Sequence, residues 1–283
     1  MSIALEHVSY IYDPDQKVKK YAVRDVSLEI KKGEFVSIIG HTGSGKSTLI
    51  QFMNGLLKPT EGRVLFEGQD VFEKGFSLKG LRQKVGISFQ YPDNQLFEST
   101  ILKDVMFGPK NLGQSREEAE TNARAALKVM AVPEASYDKS PFELSGGQKR
   151  RVAIAGILAM NPDYLILDEP TAGLDPEGRD EILELIRTLN WSQGIAVILV
   201  SHSMEDVAEY AKRILVMNDG QIIMDDTPRE IFKAYRDLET IGLSAPQVTY
   251  IAHALAEKGF LPYDTNVMTV EEAKKEILKV LKK

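Results

Sequence analysis

Hydrophobic residues follow two patterns in the predicted strands of this chain, and each pattern predicts a different kind of strand. Val26, Leu28 and Ile30 alternate with polar residues, which is the period of a half-buried strand. A nearly unbroken apolar run, typical of strands buried on both faces of a parallel sheet, occurs at residues 35–39, 164–167 and 195–200. The chain is therefore expected to contain a parallel sheet flanked by an alternating, half-exposed strand region.

A helical period lies between the second and third apolar runs. Ile182, Leu185, Ile186 and Leu189 fall on one face of a helix. Strand, helix and strand in this order predict a right-handed crossover unit, as in α/β proteins. Further on, apolar residues at 214–217 and 221–224 predict a hairpin around a turn containing glycine. We expect this hairpin to close a first domain, residues 1–225.

The last part of the chain, residues 226–283, is predicted to be a small helical extension. Three helix-start signals support this interpretation, namely Thr227-Pro228, Ser244-Ala245-Pro246 and Thr269-Val270-Glu271-Glu272. Two apolar stripes follow, at Val248, Ile251, Ala252 and Leu255 and at Val270, Ala273, Ile277 and Leu281. These faces either pack on the main domain and on each other or form an interface with a partner.

Composition restricts the function. The chain has 283 residues, with 35 basic and 41 acidic side chains and a net charge of −6, which argues against a broad nucleic-acid-binding face. The short basic run Lys149-Arg150-Arg151 is expected to be solvated or paired with acidic residues. The chain has no cysteine, which excludes disulfides, thiolate metal sites and a cysteine nucleophile. We find neither an apolar stretch of membrane-spanning length nor a signal-peptide pattern.

A glycine-rich segment, GHTGSGKST at residues 40–48, directly follows the first buried strand and precedes a helical pattern. This arrangement suits a polyphosphate, because glycines let backbone N–H groups approach its oxygens and the helix contributes its positive N-terminal end. Lys46 supplies a full positive charge for the β and γ phosphates, and Ser47 can offer its hydroxyl to Mg²⁺. The expected phosphate-binding residues are Gly40, Thr42, Gly43, Ser44, Gly45, Lys46, Ser47 and Thr48.

Two carboxylates end the second buried strand. Asp168 and Glu169 project from the carboxyl edge of the sheet, where ligands bind in open α/β folds. We expect Asp168 to hold Mg²⁺ directly or through water. Glu169 is the candidate base that polarises an attacking water, because hydrolysis of a phosphoanhydride depends mainly on a positioned nucleophile.

A second helix terminus suited to anions is predicted at Leu144-Ser145-Gly146-Gly147-Gln148, where Ser145 is a candidate N-cap. At this motif the sequence resembles the ATP-binding cassette (ABC) ATPases, whose signature is LSGGQ. The resemblance implies an α/β cassette of the P-loop NTPase class. Such a cassette has an N-terminal antiparallel β subdomain, a RecA-like parallel-sheet core and a helical signature subdomain, here approximately residues 91–160.

The resemblance also assigns roles to further residues. Gln90 matches the glutamine that senses Mg²⁺ and the transmembrane partner, Asp175 matches the D-loop, and His202 matches the switch histidine that contacts the γ-phosphate. Tyr12 is the expected counterpart of the aromatic residue that stacks on adenine, with Tyr21 as the alternative. In this family the signature of one subunit completes the neighbour's site, so the residues expected to serve a neighbour's ATP are Ser145, Gly146, Gly147 and Gln148.

A closer resemblance is carried by QYPDNQLFE at residues 90–98 and FGPKNLG at residues 107–113. Both are similar to the CbiO-like ATPases of energy-coupling factor transporters, and the first is more similar to the second of their two A-type subunits. This implies a heterodimer with a paralogous ATPase, stabilised in part by the C-terminal extension. Asp93 to Phe97 would lie near the groove that receives the membrane scaffold.

The resemblance implies uptake of vitamins or of cobalt or nickel, with a transmembrane scaffold, a separate substrate-binding membrane subunit and a position on the cytoplasmic face of the membrane. An ATPase of a conventional binding-protein-dependent importer is the alternative. A chromosome-maintenance ATPase is disfavoured because no long coiled coil separates Lys46 from Ser145, and a translation-associated protein because the chain is acidic and has one cassette. Glu169 and His202 argue against a switch that does not hydrolyse its nucleotide.

Overall fold

The structure is a computed structural model that describes residues 1–12, 20–90, 95–262 and 265–281. The strands of these residues are β1 (Ser2–Ile11), β2 (Tyr21–Lys31), β3 (Phe35–Ile39), β4 (Glu61–Phe66), β5 (Gln69–Asp70), β6 (Val85–Ser88), β7 (Tyr164–Asp168), β8 (Ala196–Val200), β9 (Arg213–Asn218) and β10 (Gln221–Asp226). The helices are α1 (Lys46–Met53), α2 (Leu78–Lys84), α3 (Ile101–Leu112), α4 (Arg116–Val129), α5 (Gly146–Leu158), α6 (Pro176–Gln193), α7 (Met204–Tyr210), α8 (Pro228–Lys233), α9 (Tyr235–Thr240), α10 (Gln247–Glu257) and α11 (Val270–Leu281).

Two sheets form the frame. The first is antiparallel, in the order β2-β1-β4-β5, and the second has the order β10-β9-β3-β8-β7-β6. From β9 to β6 the second sheet is parallel, whereas the hairpin strands β9 and β10 pair antiparallel. The three predicted apolar runs are therefore neighbours at the centre of one sheet, and the predicted antiparallel sheet and parallel core are confirmed.

Burial follows the sequence pattern. Val26, Leu28 and Ile30 are buried while the residues between them are exposed, and β3 and β8 are buried along their whole length. One face of the central sheet packs with the antiparallel sheet and α1, and the other face packs with α6 and with the helices α3 to α5. Both faces of the sheet are thus covered, which is why its central strands carry almost no polar residues.

Helix α6 carries the predicted stripe, with Ile182, Ile186 and Leu189 buried against the sheet. The predicted hairpin also forms, and its turn places Asp219 and Gly220 at φ 46° and 79°. Two consecutive residues in this left-handed region match the right-handed twist of the strands they join.

The C-terminal extension has four described helices instead of the three signalled by the sequence, because α9 has no side-chain cap to announce it. The signals at Thr227 and Thr269 are confirmed, since their hydroxyls accept hydrogen bonds from the amides of Glu230 and Glu272. The signal at Ser244 is wrong as a cap: α10 begins after Pro246 without a side-chain hydrogen bond.

The two apolar stripes of the extension divide between core and surface. Ala252 and Ala273 are buried in one small cluster, whereas Ile251 and Val270 are 51% and 64% exposed. Helix α8 packs separately, since Phe232 is fully buried in a cluster that includes residues of β9 and α7. Within the described ranges, no helix is long and apolar enough to cross a bilayer.

Candidate functional site

The glycine-rich segment forms the turn between β3 and α1. Gly43 and Gly45 have φ values of 84° and 103°, which side-chain-bearing residues rarely adopt. A Cβ on Gly45 would lie 2.2 Å from the carbonyl oxygen of Ala22, and one on Gly40 would lie 2.5 Å from Ser44 Oγ. The glycines are therefore required by the packing of the turn as well as by its backbone angles.

Lys46 is buried beneath this turn. Its Nζ donates hydrogen bonds to the carbonyl oxygens of Gly40, at 2.7 Å, and His41, at 3.1 Å. Burial lowers the pKa of Lys46, and the negative charges of Glu169 and Asp168 oppose this shift. The turn thus surrounds a cation, and the carbonyls that hold it can release it to a stronger anionic partner.

Oxygen atoms from two elements converge beside this lysine. The hydroxyl of Ser47 donates to Oδ2 of Asp168 at 3.2 Å, which joins the start of α1 to the end of β7. Burial raises the pKa of Asp168, and the hydrogen bond from Ser47 opposes the shift. In the described part of the chain no group of three or more His, Cys, Asp or Glu is arranged as a metal site. A hard cation held here would complete its shell with substrate and water oxygens.

Glu169 has two side-chain partners at the carboxyl edge of the parallel sheet. Nε2 of Gln90 donates to its Oε2 at 2.8 Å, and Nε2 of His202 lies 3.0 Å from its Oε1. Its backbone has φ 50°, in the left-handed region that is sparsely populated for residues other than glycine. Three residues that the sequence singled out separately are therefore in direct contact.

A cavity of about 420 Å³ opens beside the turn. It is lined by Tyr12, Lys20, Tyr21, Ala22, Gly43, Gly45, Lys46, Ser47 and Thr48. Tyr12 is 62% exposed, and its hydroxyl lies 2.9 Å from Oγ1 of Thr48, so its ring is held in the lining of the cavity. Both candidates for adenine stacking, Tyr12 and Tyr21, line this one cavity.

Two other residues of the turn, Thr42 and Ser44, differ in burial. Thr42 is exposed, whereas Ser44 is fully buried, with its side chain packed under the turn against Gly40. Ser44 can therefore meet a ligand through its backbone and not through its hydroxyl.

The LSGGQ motif lies at a different place on the surface. Ser145 caps α5: its Oγ accepts from the amide of Gln148 at 3.4 Å, and its own amide donates to Oε1 of Gln148 at 3.0 Å. This capping box confirms the N-cap predicted from the sequence. The motif borders a second cavity of about 440 Å³, which Gly146, Gly147 and Asp175 also line.

Asp175 is the N-cap of α6, with its Oδ1 accepting from the amide of Gly178 at 2.8 Å. Among the residues that the structure describes, none lines both this second cavity and the cavity beside the turn. The chain by itself therefore does not bring Ser145 to Lys46.

A family model described as ABC transporter matches residues 23–172, from β2 to the segment after Glu169. The chain belongs to the ABC transporter family. The fold and the family expected from the sequence are thereby confirmed.

Relatives within this family match the chain over nearly its full length. An energy-coupling factor transporter ATP-binding protein EcfA2 from Clostridium tetani is 54% identical, over 99% of this chain and 97% of the relative. CbiO1 from Clostridium perfringens, described as part of the ABC transporter complex cbiONQ, is 38% identical over 89% of this chain and 98% of that one, with a TM-score of 0.75.

A further solved structure concerns the ATP-binding cassette MJ0796, dimeric in a post-hydrolysis state with ADP and Pi. It is 34% identical over 80% of this chain and 99% of that one, with a TM-score of 0.72. The similarity to the second A-type subunit that the sequence indicated is confirmed by the relatives named EcfA2.

Arg150 and Arg151 of the basic run have different surroundings in this ABC protein. Arg151 pairs with Glu181, as expected for a cation beside acidic residues. Arg150 is buried, and the partners of its guanidinium include the backbone carbonyl of Gln90. Three carbonyl oxygens, those of Pro170, Ala172 and Gln90, accept hydrogen bonds from this buried guanidinium.

Sequence reasoning missed Arg150, Lys20 and Ala22, because their positions follow from chain segments that meet only in the fold. Asp93, in the segment expected to face the scaffold, lies outside the described residues, whereas Phe97 at the end of that segment is exposed.

Proposed function

We propose that this chain is the ATP-hydrolysing subunit of an energy-coupling factor transporter. In this proposal it powers uptake of vitamins or of transition-metal ions through a membrane scaffold and a separate substrate-binding subunit, as a peripheral protein on the cytoplasmic face of the cell membrane. Full-length relatives named EcfA2 support it, including the 54% identical protein from Clostridium tetani. The observation that carries the hydrolytic part is the joining of Gln90, Glu169 and His202 beside the glycine-rich turn.

Nucleotide binding is assigned to the turn and its cavity. The backbone amides of the turn and the ammonium of Lys46 receive the β and γ phosphates, which displace the lysine from its carbonyl partners. Tyr12 stacks on adenine, because its ring is exposed over the cavity while its hydroxyl is held by Thr48. Tyr21 borders the same cavity and remains the alternative.

Mg²⁺ fits the oxygen atoms that converge at this edge of the sheet. The residues that would hold it are Ser47, Gln90 and Asp168, with Asp168 acting directly or through water. Oxygen donors of this kind are those that Mg²⁺ prefers, and its chemical contribution is to neutralise charge on the β and γ phosphates.

Hydrolysis is assigned to Glu169. Its carboxylate accepts a proton from a water whose oxygen attacks the γ-phosphorus, and the bond to the β–γ bridging oxygen breaks to release ADP and phosphate. Gln90 and His202 each hold one carboxylate oxygen, so the base is oriented before the nucleotide arrives. The side chain of His202 is 44% exposed, and in this proposal it also contacts the γ-phosphate.

The separation of the two cavities favours a site completed by a second subunit. In the proposed dimer, Ser145, Gly146, Gly147 and Gln148 bind the γ-phosphate of the neighbour's ATP, and Asp175 borders it. A hydroxyl that acts as acceptor in a helix cap keeps its proton for donation to such a ligand. The neighbour in this proposal is a paralogous A-type subunit, with the C-terminal extension contributing to the dimer.

An exposed aromatic pair supports contact with a membrane scaffold. Phe97 and Phe107 are 56% and 41% exposed, and their rings meet edge to face at 4.7 Å. The buried carboxylate of Asp104 accepts from the amides of Phe97 and Glu98, both at 2.8 Å, and so fixes this patch on α3. An exposed aromatic pair held this firmly is suited to receiving an apolar segment of a partner.

The proposal is tested by solubilising the complex in detergent from its native membrane, with this chain tagged, and identifying its members by mass. A paralogous ATPase, one scaffold and one small membrane-embedded binding subunit are expected, with phosphate release that depends on ATP. Recovery of two permease subunits and an external binding protein would instead establish the conventional importer.

A further inference from the structure

Arg150 connects the signature helix with the segments that carry two proposed catalytic-site residues. It lies on α5, two positions after Gln148, and is 6% exposed. Its Nη1 donates to the carbonyl oxygens of Pro170, at 2.8 Å, and Ala172, at 2.9 Å. Its Nη2 donates to the carbonyl oxygen of Gln90 at 3.1 Å. We call these four residues the carbonyl clamp.

The clamp adjoins the groups around the proposed base on both sides. Gln90 uses its main-chain carbonyl toward Arg150 and its side-chain amide toward Glu169. Pro170 directly follows Glu169, and the amide of Ala172 donates to the carbonyl of Glu169 at 3.2 Å. Arg150, Gln90 and the consecutive residues Glu169 and Pro170 therefore form a closed ring of contacts that spans α5, the end of β6 and the end of β7.

The backbone of Glu169 is strained, and the ring of contacts holds it in place. A residue other than glycine at φ 50° costs free energy and persists where its surroundings hold it in place. The carbonyls of Pro170 and Ala172, bound to one guanidinium nitrogen, fix the turn that follows this strained residue. A displacement of Arg150 would therefore move both this turn and the main chain of Gln90.

We propose that Arg150 is a positioning residue for ATP hydrolysis, which holds Gln90 and Glu169 in register with the signature helix. The proposal rests on the proposed function, in which the start of α5 meets a neighbouring subunit's nucleotide. Movement of α5 on closure of the dimer is transmitted by the clamp to the base of the same chain. The state of one nucleotide site thereby adjusts the chemistry of the other.

Arginine is suited to this role by its shape. Its planar guanidinium donates in fixed directions to carbonyls on two separate segments, whereas a lysine ammonium is a compact charge with three donors at one point. Arg150→Lys keeps the positive charge and most of the buried stem but cannot reproduce that geometry. This variant therefore tests geometry apart from charge.

The first experiment compares the parent and Arg150→Lys in the purified, membrane-reconstituted transporter. The kcat for ATP is expected to fall roughly tenfold or more, because a small misplacement of a catalytic group has effects of this size. The Kd for a fluorescent ATP analogue should change less than about threefold, since the glycine-rich turn is untouched. Arg124→Lys is the matched control, because Arg124 lies in the same helical region but on the surface, paired with Glu120.

A parent-like kcat in Arg150→Lys would overturn the clamp while leaving the proposed function intact. Absence of ATP hydrolysis in the parent complex would instead overturn the proposed function. The two failures are therefore distinguishable in one set of measurements.

A double-mutant cycle with Gln90→Ala distinguishes a positioning role of Arg150 from a merely structural one. If Arg150 acts through Gln90, Arg150→Lys should cost clearly less kcat in the Gln90→Ala complex than in the parent. Equal proportional losses in both backgrounds would overturn the part of the proposal in which Arg150 acts through Gln90.

Hydrogen–deuterium exchange on the unmodified clamp covers the case in which Arg150→Lys fails to assemble. ATP should slow exchange in residues 170–174 of the parent, and this protection should shrink in Ser145→Ala, which weakens contact with the neighbour's nucleotide. The same protection in both proteins would show that the signature does not communicate with this turn.

Discussion

The side-chain amide of Gln90 donates a hydrogen bond to Oε2 of Glu169 across 2.8 Å, although 79 positions separate the two residues in sequence. The contact exists because β6 and β7 pair in parallel, with Ser88 opposite Leu167, so both chains leave the sheet at the same edge. Parallel pairing thus turns two distant strand ends into one site. The other oxygen of Glu169 faces His202, which follows the next strand, β8.

Replacement of the proposed base separates binding from hydrolysis. Glu169→Gln keeps an oxygen and the size of the side chain but cannot accept a proton from water. We expect phosphate release to fall by about 10² to 10⁴, the usual contribution of a general base, while ATP binding remains. Size-exclusion chromatography with ATP should show accumulated closed dimers. Glu117→Gln, on the exposed face of α4, is the control, and turnover like that of the parent in Glu169→Gln would refute the assignment.

Loss of the buried ammonium should affect nucleotide binding itself. Lys46→Ala removes the charge that the turn surrounds, so the Kd for labelled ATP in an equilibrium titration should rise by roughly tenfold or more, as expected for a charge-assisted contact. A Kd unchanged from the parent would show that Lys46 does not contact the phosphates. Lys128→Ala, on the surface of α4, serves as the reference.

The two tyrosines of the cavity can be distinguished by their effect on adenine. An aromatic residue that stacks on a base contributes about 1 to 3 kcal/mol, so Tyr12→Ala should weaken ATP binding by roughly five- to 150-fold. Tyr12→Phe should bind nearly as the parent, because it loses only the contact with Thr48. Inorganic triphosphate, which has no base, should bind Tyr12→Ala and the parent equally. A large effect of Tyr21→Ala with none of Tyr12→Ala would reverse the assignment.

A substitution in the signature should act on the assembled dimer and not on the first binding step. Ser145→Arg places a bulky side chain where the neighbour's γ-phosphate is proposed to lie, while Lys46 and the turn stay intact. We expect ATP binding by the isolated chain to be retained and ATP-driven dimerisation, measured by light scattering, to be lost. Dimers as stable as those of the parent would contradict a shared site.

Asp104 gives a prediction about stability. Both of its hydrogen bonds reach one carboxylate oxygen, Oδ2, and burial raises the pKa of this group. Because the pKa of Asp104 is raised in the folded state, folding loses stability as the pH rises from the ordinary pKa of an aspartate through the raised pKa of the folded protein. Asp104→Asn keeps an acceptor and removes the charge, so its stability relative to the parent should increase over that pH range.

Urea denaturation of the parent and Asp104→Asn at several pH values measures this difference. Asp104→Ala is the contrasting variant, because it leaves two amides without an acceptor and should lose about 1 to 3 kcal/mol. A parent that gains stability relative to Asp104→Asn with rising pH would contradict the stated sign.

The local sequence pattern was sufficient to predict those elements whose structure depends mainly on residues nearby in sequence. The strand Phe35–Ile39, the stripe of α6 and the caps at Thr227 and Ser145 depend on neighbours in sequence, and each was predicted. Helix α9 was missed because it has neither a cap nor a long stripe, and its Leu238 is buried only because α8 carries it onto the sheet.

For the site, the sequence indicated which chemistry is expected. A glycine-rich turn before a helix suits a polyphosphate, and carboxylates after a buried strand suit a metal ion and a general base. Tertiary structure decided which of these groups meet. It joined Gln90 and His202 to Glu169, placed both tyrosines on one cavity, and buried Arg150 among carbonyls. Strands and helix caps depend on interactions between residues that are close in sequence. Contacts between distant residues depend on the order and direction of the strands in the sheet, which only the folded chain determines.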